Sequence, residues 1–174
     1  MADRKEIPDG AKWRFASQCA ATLPALYDIA FREALREKYG PLEREIWMEL
    51  ARSIVTVAHD CSLPVRNAEE TGKAVHAGLY VLFGPDLGAE TIAFSDDRAV
   101  IVVKRCPFLV HSCTLATDCE HSFARCMALV LTAVPLLNKE FEGRFVRALC
   151  TGDRQCEIKI ERKPPAKEKQ SKTP

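Results

Sequence analysis

The chain has 174 residues, a length typical of one domain. Its 25 Lys and Arg nearly balance 24 Asp and Glu, so the formal net charge is +1 and lacks the basic excess of most nucleic-acid binding proteins. Hydrophobic residues make up 47% of the chain, yet no apolar run approaches the roughly 18 residues of a membrane span. We therefore expect a protein with a buried core and with neither a nucleic-acid nor a membrane partner.

The N-terminal sequence and the cysteine content indicate a cellular compartment. "MADRKEIPDG" has charges but no apolar segment after them, so we expect no secretory signal and a cytoplasmic protein. Thiols usually stay free in a reducing cytosol. The eight cysteines therefore favour chemistry, metal binding or burial over structural disulfides.

The first half of the chain predicts helices. The first covers residues 24–40, with a proline at its first position and a glycine at its C-terminal end, where a left-handed cap conformation is common. The second covers residues 42–58, where apolar residues recur every fourth position. The third covers residues 67–83, with Asn67 as its N-terminal cap.

The second half changes to the two-residue period of strands. Residues 90–94 and 98–106 flank turn residues and predict a hairpin whose second strand is apolar on both faces. A helix is expected from about residue 118 to 137. Residues 144–150 and 155–162 then predict a second hairpin around Gly-Asp turn residues.

Together these elements predict an α+β fold. A helical N-terminal half packs on an antiparallel sheet of two hairpins, with a helix inserted between them. We expect residues 1–162 to form a single domain. Residues 163–174 are rich in Lys and Pro and have no apolar face, so we expect a disordered tail.

The register of the second hairpin depends on its loop length. With a three-residue loop, Cys150 and Cys156 share a face with Val146, Ala148, Ile158 and Ile160, whereas a two- or four-residue loop turns the two cysteines to opposite faces. The cleaner separation of apolar from polar residues favours the three-residue loop.

The segment "CPFLVHSCTLATDCEHSFARC", residues 106–126, holds four of the eight cysteines and two of the four histidines. Its cysteines are not spaced as the close pairs of a zinc ribbon. A metal could still use ligands from separate elements, for example Cys106, Cys119 and Cys156. Metal or iron–sulfur binding therefore stays open, and the sequence identifies no cofactor.

Cys119 lies in a pattern typical of a helix start. "TDCE" matches the capping box, with Thr117 as the cap and Glu120 as its return partner. The positive end of the helix dipole would lower the pKa of a thiol there and favour the nucleophilic thiolate. His121 could supply a proton. Alternatively, Cys119 is a small buried residue and His121 a solvated one.

The chain resembles the family of L-2-amino-thiazoline-4-carboxylic acid hydrolase-like proteins. The resemblance rests on a strand ending in a cysteine ("VVKRC", Cys106), on "DCE" at a helix start (Cys119), and on the closing hairpin "ALCTGDRQCEIKI". It covers residues 98–161 well and the first half loosely. "CPF" at Cys106 and the Gly-Asp-x-x-Cys hairpin are also similar to cysteine-bearing ligand-binding domains related to 4-vinyl reductase.

The hydrolase resemblance implies an enzyme that opens a small cyclic amidine or amide at a C–N bond. Cys119 would attack the ring carbon, His121 or Asp118 would protonate the leaving nitrogen, and Cys106 would stand across the pocket. The residues expected to contact the substrate or ligand are His111, Cys113, Asp153 and Cys156. The alternative is a non-catalytic module that binds a small ligand, a metal or an iron–sulfur cluster through the same cysteines. The sequence gives no indication of the oligomeric state.

Overall fold

Helices form the N-terminal half of the structure, as the sequence predicts. The computed structural model describes residues 7–110 and 120–165. Its first helices are α1 (Asp9–Leu35), α2 (Tyr39–Asp60) and α3 (Ala68–Phe83). Asn67 caps α3, since its Oδ1 accepts a hydrogen bond of 2.9 Å from the backbone N–H of Glu70. The expected cap is thereby confirmed.

The expected boundaries of the first helix are wrong. Pro24 lies inside α1 rather than at its start, because a proline removes only one helical hydrogen bond and the alanine-rich residues before it favour helix. Gly40 lies within α2, and the positive φ that ends α1 belongs to Arg36, at 49°.

Both predicted hairpins are present and join into one antiparallel sheet. Its strands are β1 (Gly88–Ser95), β2 (Arg98–Arg105), β3 (Phe141–Arg147) and β4 (Cys156–Arg162), in the order β1-β2-β4-β3. Helix α4 (Glu120–Leu137) runs between the two hairpins. The α+β architecture expected from the sequence is therefore confirmed.

One face of the sheet packs against α3 and α4 to form the core. Ile101 and Ile160 on the central strands are fully buried. Val75 on α3 and Leu129 on α4 are also fully buried and belong to the same apolar cluster. These two helices therefore cover the inward-facing side chains of the central strands.

The expected three-residue loop between β3 and β4 is wrong. The register shifts between Phe145 and Arg147, so Val146 is 51% exposed instead of facing inward. Local hydrogen bonds in residues 148–155 replace the strand ladder: the N–H of Ala148 donates to Oδ2 of Asp153 at 2.8 Å, and the carbonyl of Ala148 accepts the N–H of Asp153. The cysteines therefore do not face each other across a tight turn.

Helix α1 has two contrasting faces. Its inner stripe consists of Ser17, Ala21 and Ala25, small residues that allow close approach to the end of α3. A Cβ added to Gly84 would lie 2.0 Å from Oγ of Ser17. The outer face carries exposed large apolar side chains: Phe15, Leu23, Leu26, Tyr27, Ile29 and Phe31. Exposed apolar surface on this scale is typical of interaction surfaces.

The expected tail, residues 163–174, lies mostly outside the described residues. Lys163, its first residue, donates its N–H to the carbonyl of Glu140 and its Nζ to the carbonyl of Lys139, both at 2.8 Å. Within the described ranges, no helix has the length and apolar character needed to cross a membrane.

The turn conformation of Gly152 gives a stability prediction. Its φ is 94°, which costs a residue with a Cβ about 1 kcal/mol, although nothing lies within 4 Å of an added Cβ. Gly152→Ala should therefore lower the free energy of unfolding by about 1 kcal/mol in urea denaturation. Gly40→Ala is the matched control, because Gly40 is helical and equally open, and it should be neutral or stabilising. Equal effects of the two changes would contradict the turn assignment.

Candidate functional site

The predicted site residues separate into different regions. Cys106 and Cys156 line one interior cavity, whereas His121 lines a second cavity between α2 and α4. Asp153 is exposed in the connection between β3 and β4, where it holds the turn through Ala148. The remaining candidates, His111, Cys113, Asp118 and Cys119, lie outside the described residues, as does the proposed cap Thr117.

The interior cavity brings thiols from three elements together. Cys106 follows β2, Cys156 begins β4 beside Val103 of the neighbouring strand, and Cys126 lies on α4. The space between them is only about 30 Å³. Apolar side chains complete its wall: Leu79, Phe83, Leu87, Val103, Val130, Phe145 and Ile158. Folding thus places cysteines from distant sequence positions in one apolar environment.

These thiols are held in the protonated form at neutral pH. Burial raises the pKa of Cys106 to about 11 and that of Cys150 to about 12, and it also raises the pKa of Cys126 and Cys156. Sγ of Cys156 accepts a 3.3 Å hydrogen bond from the N–H of Leu149, but this opposes the effect of burial only in part. The sulfur atoms therefore act as apolar wall rather than as ready nucleophiles.

The cysteines of the described residues, namely Cys19, Cys61, Cys106, Cys126, Cys150 and Cys156, are free thiols. Within residues 7–110 and 120–165, no cluster of three or more His, Cys, Asp or Glu side chains is arranged to hold a metal ion. The metal set suggested by the sequence requires Cys119, which is outside those ranges. That ligand set stays a prediction.

The second cavity lies between α2 and α4 and has a volume of about 560 Å³. Its apolar wall is formed by Trp47, Met48, Met127 and Leu131. Charged and polar side chains line the end of the cavity that is nearer the N-termini of α2 and α4: Glu43, Arg44, His121 and Arg125. Successive residues of α4 are rotated by about 100° around the helix axis, so the side that carries Cys126 faces the sheet and the side that carries His121 faces this cavity.

An ion-pair network at this cavity was not anticipated from the sequence. The Nε of Arg125 donates to Oε1 of Glu43 at 2.6 Å, and its Nη2 lies 3.3 Å from Oδ2 of Asp28. Arg32 pairs with the same aspartate, and the hydroxyl of Tyr39 donates to Oε1 of Glu43 at 2.9 Å. The network therefore ties α1 and α2 to α4. Its only sequence signal is an arginine within the apolar run of α4 and an aspartate on the small-residue stripe of α1.

The arginines of the network favour the ionised form of Asp28. Burial alone would raise the pKa of Asp28, but the hydrogen bond from Arg32 and the charges of Arg125 and Arg32 outweigh it, so this pKa lies below its usual value. Burial and the Glu43 carboxylate together raise the pKa of Tyr39, so the phenol remains a hydrogen-bond donor. The side chain of Arg125 is 1% exposed, and the carboxylates of Asp28 and Glu43 compensate its charge.

Comparison with known proteins identifies a fold relationship. No family model and no curated protein matches the chain in sequence. A solved structure that it resembles is that of a trafficking protein particle complex subunit 3 from Naegleria fowleri, covalently bound to palmitic acid. The TM-score is 0.59 with 13% sequence identity, over 86% of this chain and 96% of that chain. At this identity the likeness concerns the fold.

The thiol environments predict an order of alkylation. Cys19 and Cys61 are exposed, whereas Cys106 and Cys156 are buried and protonated. Iodoacetamide at neutral pH should therefore label the two exposed cysteines first and the two buried ones only when urea unfolds the protein. Peptide mass spectrometry at successive times measures this order. Early labelling of Cys106 in the folded protein would contradict the assigned environment.

The buried ion pairs predict a large effect of Arg125. Arg125→Met removes the buried guanidinium that Asp28 and Glu43 share, leaving Asp28 paired with Arg32 and Glu43 with the Tyr39 hydroxyl, and should lower the free energy of unfolding by about 3–5 kcal/mol. Arg52→Met is the control, since Arg52 forms an exposed pair with Glu49 and should cost no more than about 0.5 kcal/mol. Urea denaturation of both variants checks the difference, and similar values would contradict the structural role of the network.

Proposed function

We propose that this protein is a binding module for an apolar ligand such as a long acyl chain, held without a covalent bond between the sheet and helices α3 and α4. The observation that carries the proposal is the meeting of Cys106, Cys126 and Cys156 with apolar side chains around one interior cavity. A protonated thiol packs as a small hydrophobic group. Such a lining suits an alkyl chain better than it suits hydrolysis.

The fold relationship supports the same ligand class. The trafficking complex subunit with a similar fold carries palmitic acid as a covalent adduct. In the present chain the high pKa values of Cys106 and Cys150 leave little thiolate at neutral pH. We therefore propose that these interior sulfurs contact an acyl chain but do not form a thioester with it.

The size of the cavity sets a condition on binding. A space of about 30 Å³ holds roughly one water-sized group, so a long chain enters only if the side chains of the wall move apart. Phe83 on α3 and Val130 on α4 both line this wall. Ligand binding should thus be accompanied by repacking of the layer between the helices and the sheet.

The hydrolase interpretation remains a prediction. Its nucleophile Cys119 and its acid Asp118 lie outside the described residues, and the described candidates Cys106 and His121 line different cavities. A cytoplasmic location, proposed from the sequence, is compatible with the free cysteines. The two functional hypotheses differ most clearly in whether a cysteine forms a covalent intermediate.

Mass spectrometry with palmitic acid tests the proposal. Delipidated protein mixed with palmitic acid should retain one ligand molecule under native conditions and show the unmodified mass under denaturing conditions. Cys106→Ala should still bind, because the proposed contact is apolar. Absence of any complex would contradict the proposal. Incubation with palmitoyl-coenzyme A, an activated acyl donor, tests the alternative: transfer of the palmitoyl group to Cys119 with release of free coenzyme A, abolished by Cys119→Ser, would support a nucleophilic cysteine instead.

A matched pair of substitutions locates the ligand. Val130→Phe fills the interior cavity and should reduce the rise in melting temperature that palmitic acid produces. Val146→Phe makes the same change at an exposed position of β3 and should leave that rise intact. Because overpacking costs roughly 1–3 kcal/mol, the ligand-induced rise is compared with each variant's own melting temperature. An equal rise in both variants would place the ligand elsewhere.

A further inference from the structure

We propose that the cavity between α2 and α4 is a second ligand site, which binds a monovalent anion attached to an apolar body, such as an aryl or alkyl carboxylate or sulfonate. This site is independent of the proposed acyl-chain site, because Cys126 and Val130 face the sheet while Ala124, Arg125 and Leu131 face the opposite cavity. A ligand could occupy either one alone.

The cavity has the dimensions and walls of a small-molecule site. Its volume of about 560 Å³ falls within the roughly 300–1,000 Å³ usual for ligand pockets. Trp47 and Met48 of α2 face Met127 and Leu131 of α4 across it. An indole and flexible thioethers pack well against a ring or a short alkyl chain. These walls account for the apolar part of the ligand.

Arg44 is an exposed cation at the charged end of the cavity. Arg32 and Arg125 are matched by the carboxylates of Asp28 and Glu43. Arg44, which lines the same cavity, has no ion-pair partner in the part of the chain that the structure describes. A single negative charge on the ligand would therefore complete the balance of charges at this end.

Arg125 adds a buried guanidinium group beside Arg44 at this end of the cavity. Nη2 of Arg125 is buried and forms no hydrogen bond among the described residues, although Asp28 lies 3.3 Å away. Buried polar atoms without a partner are uncommon and costly. A ligand oxygen in this cavity could accept from Arg44, and paired contacts of a guanidinium group with an oxyanion are especially favourable.

Glu43 limits the ligand to a single charge. Its carboxylate lines the cavity, but Oε1 already accepts from Arg125 and from Tyr39. A ligand with several negative charges would be repelled by this carboxylate after the charge of Arg44 was neutralised. The arrangement thus favours a carboxylate or sulfonate over a polyphosphate.

Two fluorescent probes of similar shape separate the charged from the apolar contribution. Anilinonaphthalene sulfonate is an anion, and N-phenylnaphthylamine is its neutral counterpart. Arg44→Gln should weaken binding of the sulfonate on the order of tenfold and leave the neutral probe unchanged, because one charged hydrogen bond is lost. Arg52→Gln is the control on the same helix, since Arg52 does not line this cavity.

A steric variant then tests the position of the probes. Ala124 is exposed on the cavity side of α4, so Ala124→Trp should obstruct the site and weaken both probes. Ala20→Trp at an exposed position of α1 should weaken neither. The proposal is overturned if Arg44→Gln affects both probes equally, if it affects neither, or if Ala124→Trp leaves both affinities unchanged. Melting curves establish that each variant is folded before titration.

Discussion

Burial of the Arg125 guanidinium is the constraint on which the position of α4 depends. A charge that is 1% exposed is stable only beside its counter-charges, and these come from Asp28 on α1 and Glu43 on α2. The helix therefore cannot rotate about its axis without separating these pairs. Fixing that rotation also decides which residues of α4 face the sheet and which face solvent.

The orientation of α4 produces two chemically different environments on one helix. Towards the sheet, Cys126 and Val130 join a dry layer in which burial keeps the thiols protonated. Towards α2, Arg125 and Leu131 line a wider cavity with a charged end. The first environment is lined by apolar groups and the second also by charged ones, which is why we propose a different ligand class for each side of this helix.

Sequence patterns predicted the elements that are specified locally. The Asn67 cap and the two hairpins depend on neighbouring residues, and the structure contains them as expected. The bulge at Val146 was not predicted, because it depends on whether residues near Asp153 form local turn hydrogen bonds or continue the pairing of the two strands. The helix through Pro24 was missed because the sequence pattern does not show that flanking alanines outweigh one proline.

The candidate site was less predictable, because its contacts join distant parts of the chain. Arg125 and Glu43 are 82 positions apart, and the sequence around neither residue indicates that the two form a contact. The sequence placed Cys106 and Cys156 together only as ligands of a possible metal site, and the rise in their pKa values follows from burial that only the packed structure defines. Sequence spacing therefore indicated reactive cysteines, whereas the packing favours protonated thiols that form part of an apolar wall.

The same packing determines how an interior ligand could be accommodated. Protein interiors are close-packed, so widening a cavity of about 30 Å³ requires either a helix to move or side chains to change rotamer. The ion pairs of Arg125 oppose displacement of α4. Helix α3 lines the same cavity with the apolar side chains Leu79 and Phe83. The interior should consequently open on the α3 side, where Phe83 stacks on Phe108 at a centroid distance of 5.2 Å and can exchange that contact for an alkyl chain.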